Sequence, residues 1–88
     1  MRLLISNLNR FATSSHVAAL LVPFGLVMSA RIVTNAQNGY SEGVAVVEME
    51  FKAGHMVISE LNNCRFMNFY IRVEETNAAN WYRLVKPV

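Results

Sequence analysis

Residues 42–51, EGVAVVEMEF, alternate in the way that side chains alternate along a β-strand. Successive side chains of a strand point to opposite faces of the sheet. The members of one set are Gly43, Ala45, Val47, Met49 and Phe51. The members of the other set are Glu42, Val44, Val46, Glu48 and Glu50. Because the first set is entirely nonpolar, it is expected to face the hydrophobic core, and the second set is expected to face away from it.

The remaining sequence divides into segments of strand and helix character. Strands are predicted at 2–6, 26–34, 42–51 and 66–75, and helices are predicted to begin at the cap residues 13–15 and at residue 52. The loop at 35–40, NAQNGY, contains an Asn-Gly turn signal. The elements therefore follow the order β-α-β-β-α-β.

Both predicted helices have clear boundaries. In the first, Val17, Leu20, Leu21 and Phe24 share one face, and Pro23 and Gly25 end the helix. The second, 52–63, buries Val57, Ile58 and Leu61 and is expected to end at Asn63, which tolerates the left-handed conformation. A glycine in a helix interior costs about 1 kcal/mol relative to alanine, so Gly54 indicates a close contact between helix and sheet.

This order of elements predicts an α+β, ferredoxin-like sandwich. Right-handed crossovers place the four strands in one antiparallel sheet with both helices on one face, which leaves the other face open. Residues 1–76 are expected to form the domain and residues 77–88 a C-terminal tail.

Composition excludes several classes of protein. The net charge of +2 is too small to bind nucleic acid by bulk charge alone. The longest apolar run, 17–28, is interrupted by Pro23 and Gly25 and is shorter than the roughly 20 residues that span a bilayer. A single cysteine fits a reducing compartment. We expect a soluble cytoplasmic protein with no membrane partner.

No enzyme, cofactor or metal site is predicted. His16 and His55 lack neighbours at metal-ligand spacing, and Cys64 has no positioned base. The segment NAQNGYSEG is a hairpin loop, not a phosphate-binding loop.

Four segments resemble the RNA recognition motif family, and in particular its small single-domain bacterial members. LLISNL at 3–8 is similar to the hexapeptide ribonucleoprotein motif, and EGVAVVEM at 42–49 to the octapeptide motif. FGLVMSARIVTNAQNGYSEG at 24–43 is similar to the second strand and following loop, and ISELNN at 58–63 to the end of the second helix.

The resemblance implies single-stranded RNA as the partner, bound by stacking bases on three aromatic side chains. The matching positions here hold Leu4, Val44 and Val46, and an acidic residue, Glu42, stands where the octapeptide begins with a basic one. Stacking contributes about 1–3 kcal/mol per base, so binding is expected to be weak or atypical.

Other residues of the open face could compensate for the missing rings. Tyr70 could stack a base, Arg31 and Arg72 could contact phosphate, and Tyr40 could fold over a bound strand. The candidate RNA-binding residues are Leu4, Ser6, Arg31, Tyr40, Val44, Val46, Tyr70 and Arg72. Alternatively, the two arginines pair with Glu42, Glu48 or Glu74 across the sheet.

The apolar open face also permits a second hypothesis, a module for protein interaction or homodimerisation that has lost RNA binding. Exposed apolar patches mark interfaces or are covered. The cover could be the tail, through Trp81, Leu84 or Val85, or a second copy of the chain. Alternatively, Trp81 stacks on a base beside Tyr82, with Arg83 and Lys86 near phosphate.

Overall fold

Six strands and two helices make up the fold in the computed structural model, which describes residues 1–77. In chain order they are β1 (Arg2–Ser6), α1 (Ser14–Leu21), a 3-10 turn (Val22–Phe24), β2 (Val27–Thr34), β3 (Ser41–Met49), α2 (Phe51–Leu61), β4 (Arg65–Phe66), β5 (Phe69–Tyr70) and β6 (Arg72–Glu75). No helix within residues 1–77 is long and apolar enough to cross a membrane.

Four of these strands form one antiparallel sheet in the order β2-β3-β1-β6. Both helices contribute to a single core on one face of this sheet. The fully or almost fully buried core residues from the strands are Leu3, Ile5, Ala45, Val47, Met49 and Val73, and those from the helices are Val17, Leu21, Ala53 and Val57. The predicted ferredoxin-like architecture is therefore confirmed, and so is the core-facing position of Ala45, Val47 and Met49 on β3, whereas Gly43 is half-buried and outside the core cluster.

A reciprocal capping box explains where α1 begins. The Thr13 hydroxyl accepts from the His16 amide at 3.2 Å, and His16 Nδ1 accepts from the Thr13 amide at 3.0 Å. This reciprocal capping box satisfies two amides at the helix N-terminus. Beyond α1, the 3-10 turn ends at Gly25, which has a φ of +153°. A Cβ at this position would lie 2.6 Å from the Cβ of Ala53 on α2.

Strand β3 ends two residues earlier than predicted, because Glu50 caps the second helix. Its carboxylate accepts hydrogen bonds from the amides of Lys52 at 3.1 Å and Ala53 at 2.9 Å. Phe51 is therefore the first residue of α2, and its side chain is 61% exposed. The prediction that Phe51 faces the core is wrong. Its ring contacts His55 edge-on, with 4.5 Å between the ring centroids.

The rest of α2 follows the prediction closely. Gly54 is buried, and a Cβ at this position would overlap the side chain of Met1, which explains the glycine. Asn63 has a φ of +69° just beyond the end of the helix. Its amide donates to the Ile71 carbonyl at 2.7 Å, and Asn62 Oδ1 accepts from the Val73 amide at 3.0 Å.

The predicted single strand at 66–75 is instead a hairpin followed by a short strand. β4 and β5 pair with each other, and the turn between them has positive φ at Met67 (48°) and Asn68 (72°). Such turns match the right-handed twist of paired strands. Only β6 joins the four-stranded sheet, and the buried Ile71 separates it from the hairpin.

Candidate nucleic-acid interface

Cross-strand pairing defines which residues share the open face of the sheet. Directly opposed residues of neighbouring strands point to the same face. One row across the sheet runs from the edge strand β2 to the edge strand β6 and consists of Arg31, Val46, Leu4 and Glu74. Beside it, Val33 opposes Val44, and Ser6 opposes Arg72. On the other side, Glu48 lies between Ser29 and Arg2.

The three positions that match the stacking aromatics lie on this face, but they differ in accessibility. Leu4 and Val44 are half-buried. Val46 has no exposed surface, although it is not part of the core cluster on the helix side. The expectation that Val46 offers surface to a bound base is therefore wrong. In its row, its neighbours on the open face are Leu4 and Arg31.

The two arginines of the face are exposed at opposite edges of the sheet, Arg31 on β2 and Arg72 on β6. Within residues 1–77, neither forms an ion pair. Glu48 instead lies 4.0 Å from Arg2, and the Glu42 carboxylate accepts from the Asn35 side chain at 3.2 Å. The alternative that the arginines pair with glutamates across the sheet is thus wrong for this part of the chain.

Tyr70 lies outside the four-stranded sheet, contrary to prediction, because it belongs to the hairpin strand β5. It is 63% exposed, and its backbone carbonyl accepts from the Asn7 side chain at 2.8 Å. Asn9 donates to the Met67 carbonyl at 3.1 Å. These two asparagines tie the hairpin to the segment that follows β1, so Tyr70 borders the sheet close to Ser6 and Arg72.

Tyr40 lies in the loop between β2 and β3, as predicted, and is 64% exposed. The loop is closed by a bond from the Asn35 amide to the Tyr40 carbonyl at 2.8 Å. Sequence analysis missed Arg10, which contacts the Tyr40 ring, and Phe11, which contacts the same guanidinium. The Arg10 guanidinium carbon lies 5.5 Å from the Tyr40 ring centroid and 5.3 Å from that of Phe11. An adjacent cation and aromatic residue between β1 and α1 were the available signal.

Among residues 1–77, no group of three or more His, Cys, Asp or Glu residues could hold a metal ion. His16 belongs to the cap of α1, His55 contacts Phe51, and Cys64 is a half-buried free thiol. The suggested roles of Trp81, Leu84 and Val85 in the tail lie outside the described residues.

A known protein family matches most of this chain. The family model described as RNA recognition motif matches residues 3–72. The chain belongs to the RNA recognition motif family. The segments that resemble the hexapeptide and octapeptide motifs lie on β1 and β3, the two central strands of the sheet. No curated protein matched the chain.

Solved structures of RNA recognition motif domains are similar to this one over most of the chain. The crystal structure of RNA binding protein PG1 has 32% identity and a TM-score of 0.83, covering 86% of this chain and 93% of that chain. The RNA recognition domains 1 and 2 of Sex-lethal from Drosophila melanogaster give 24% identity and a TM-score of 0.79, covering 89% and 50%. The Rna15 domain with bound RNA (GU) gives 15% and 0.78, covering 89% and 84%.

Proposed function

We propose that this protein binds single-stranded RNA across the open face of its sheet, with an atypical readout. Family membership supports this proposal, since the family is a non-enzymatic RNA-binding domain. The similarity to RNA binding protein PG1 at 32% identity over 86% of the chain supports it further. The proposal concerns the face that carries the two ribonucleoprotein motifs, because the strand register places Leu4 and Val44 there.

The observation that carries the proposal is the position of Arg31 and Arg72. Both are exposed and without an ion-pair partner within residues 1–77, and they flank the open face from its two edges. An arginine presents five donors in a planar fork that suits phosphate. A strand of RNA that crosses the sheet would meet one cation on each side, while its bases lie over Leu4 and Val44.

The readout is expected to be weak because the central residues are aliphatic. Each aromatic platform contributes about 1–3 kcal/mol per stacked base, and three positions that carry aromatics in the family are Leu4, Val44 and Val46 here. Tyr70 could restore one stacking contact beside Arg72. Glu48 and Glu74 lie on the same face, and their negative charges repel phosphate. They therefore restrict where the RNA backbone can cross the sheet.

A second candidate function is protein interaction or homodimerisation through the same face. It is favoured by the aliphatic centre, in which Val33, Val44 and Leu4 are half-buried around the fully buried Val46. Such a surface suits a protein partner as well as it suits unstacked bases.

Titration of the isotope-labelled protein with single-stranded RNA at low salt, followed by NMR, tests the proposal. We expect shift changes at Leu4, Ser6, Val44 and Arg72, and weaker binding in the Arg72→Gln variant. Arg65→Gln is the matched control, because Arg65 is also exposed but lies in the hairpin and donates to Asn68. If the spectra do not change at the highest RNA concentration and sedimentation shows self-association, the result would instead support the second candidate.

A further inference from the structure

The structure also contains a groove at the edge of the sheet, beside the open face. It has a volume of about 630 Å³ and lies beside the edge strand β2, where the loops after β1 and β2 and the start of α1 meet. Its lining includes Arg10, Phe11, Arg31, Ile32 and Tyr40. Ala30 and Ile32 also line it, and they point to the helix side of the sheet because they oppose Val47 and Ala45.

We propose that this groove, which we call the edge groove, holds a nucleotide of the bound RNA, so that Arg10 and Phe11 belong to the binding site. The inference rests on the proposed function and extends it beyond the sheet. In this proposal the bases stack on Phe11 and Tyr40, which lie in two different loops, because the motif positions of the sheet hold aliphatic residues.

The charge of the edge groove favours an anionic ligand. Two arginines, Arg10 and Arg31, line it, and none of the residues that line it is acidic. By contrast, the sheet face carries Glu48 and Glu74. Arg10 and Arg31 form no ion pair within residues 1–77, so both guanidinium groups remain available to phosphate.

The two rings of the edge groove are arranged for stacking. Phe11 is 73% exposed and Tyr40 is 64% exposed, so each has ring surface available to a base. The Arg10 guanidinium lies within 5.5 Å of both ring centroids and holds the two loops together through cation–π contacts. A base on either ring would place its phosphate close to this guanidinium.

Arg31 connects the edge groove to the open face. It opposes Val46 in the row of residues across the sheet, and it also lines the groove. An RNA strand that crosses the sheet toward β2 could therefore pass over Arg31 into the groove.

Fluorescence anisotropy with labelled single-stranded RNA, using the full chain, tests this site. The Phe11→Ala/Tyr40→Ala double variant is expected to lower affinity about 5- to 150-fold for each base that loses its platform. Arg10→Gln is expected to reduce the slope of log affinity against log salt by about 0.7, the value for one phosphate contact to a single strand. Phe51→Ala and Lys52→Gln are matched controls, since both residues are exposed on α2 and neither lines the groove.

The outcomes separate the edge groove from the proposed function. If the double variant binds RNA like the wild type while Arg72→Gln weakens binding, the groove is not part of the site and the sheet face is. If the wild type binds no RNA, both proposals fail. If sedimentation shows a wild-type dimer that the double variant abolishes, with RNA binding unchanged, the groove holds a second copy of the chain instead. Crosslinking of photoreactive RNA to Phe11 or Tyr40 would support the site directly.

Discussion

Leu8 lies with its main chain directly against Gly43, the glycine of the octapeptide motif. The Leu8 amide donates to the Gly43 carbonyl at 2.9 Å, and a Cβ on Gly43 would lie 3.0 Å from the Leu8 carbonyl oxygen. Gly43 has a φ of +72° and lies where the register between β2 and β3 shifts. This contact joins the start of β3 to the chain that leaves β1, so it fixes how the two motif strands meet.

Replacing Gly43 by alanine is expected to destabilise the fold. The left-handed conformation costs a side chain about 1–2 kcal/mol, and the close Leu8 backbone adds to this cost because it must move. Gly39→Ala is the matched control, since Gly39 has a φ of +73° but nothing within 4 Å of the added Cβ. Urea unfolding should show a larger loss for Gly43→Ala, and equal losses would contradict the packing argument.

Aromatic substitutions on β3 are expected to act differently at its two motif positions. Val44 is half-buried, so Val44→Phe should offer a base a ring and increase RNA affinity by about 5- to 150-fold. Val46 has no exposed surface, so Val46→Phe should overpack its site and lower stability by about 1–3 kcal/mol. RNA titrations measure the affinity of both variants, and urea unfolding curves measure their stability. A larger gain in RNA affinity for Val46→Phe than for Val44→Phe would contradict the burial of Val46.

The N-cap of α2 is expected to make stability depend on pH. Hydrogen bonds from the amides of Ala53 and Lys52 lower the pKa of Glu50 below its ordinary value of 4.5. A carboxylate with a depressed pKa stabilises the folded state above the pKa of the unfolded chain, and this contribution is lost as pH falls through the folded pKa. Glu50→Gln should therefore be less stable than the wild type at neutral pH, and the gap should close below pH 4.5.

Urea unfolding at several pH values measures this gap. Glu60→Gln is a suitable control, because Glu60 is exposed near the other end of α2 and does not cap it. A gap for Glu50→Gln that stays constant from neutral to acid pH would show that the charge of the cap does not matter.

The proposed covering of the open face by the tail can be tested with the single tryptophan of the chain, Trp81. If the tail packs against the sheet, Trp81 emission should lie at shorter wavelength than in the urea-unfolded protein. It should also move to longer wavelength in Leu4→Asp, because a charge at Leu4 would repel an apolar cover. Emission that is the same in the folded wild type, in Leu4→Asp and in the unfolded chain would rule out this cover.

Local patterns were sufficient to predict the framework of this protein. The alternation of Ala45, Val47 and Met49 identified the buried face of β3, and Thr13 marked the start of α1. Such features depend on side-chain direction and on hydrogen bonds between near neighbours, so they can be read along the chain. The same alternation placed Leu4 and Val44 on the open face, as the strand register shows.

One local helix cap, at Glu50, and several contacts between distant segments decided the rest. The capping carboxylate of Glu50 turned Phe51 from a strand residue into the exposed start of a helix, and Asn7 and Asn9 anchor the hairpin that removed Tyr70 from the sheet. Arg10 meets Tyr40 because two loops far apart in the chain come together, and Val46, which alternation placed on the open face, has no exposed surface. Periodicity specifies which face a side chain joins, but its exposure and its neighbours depend on what the folded chain packs beside it.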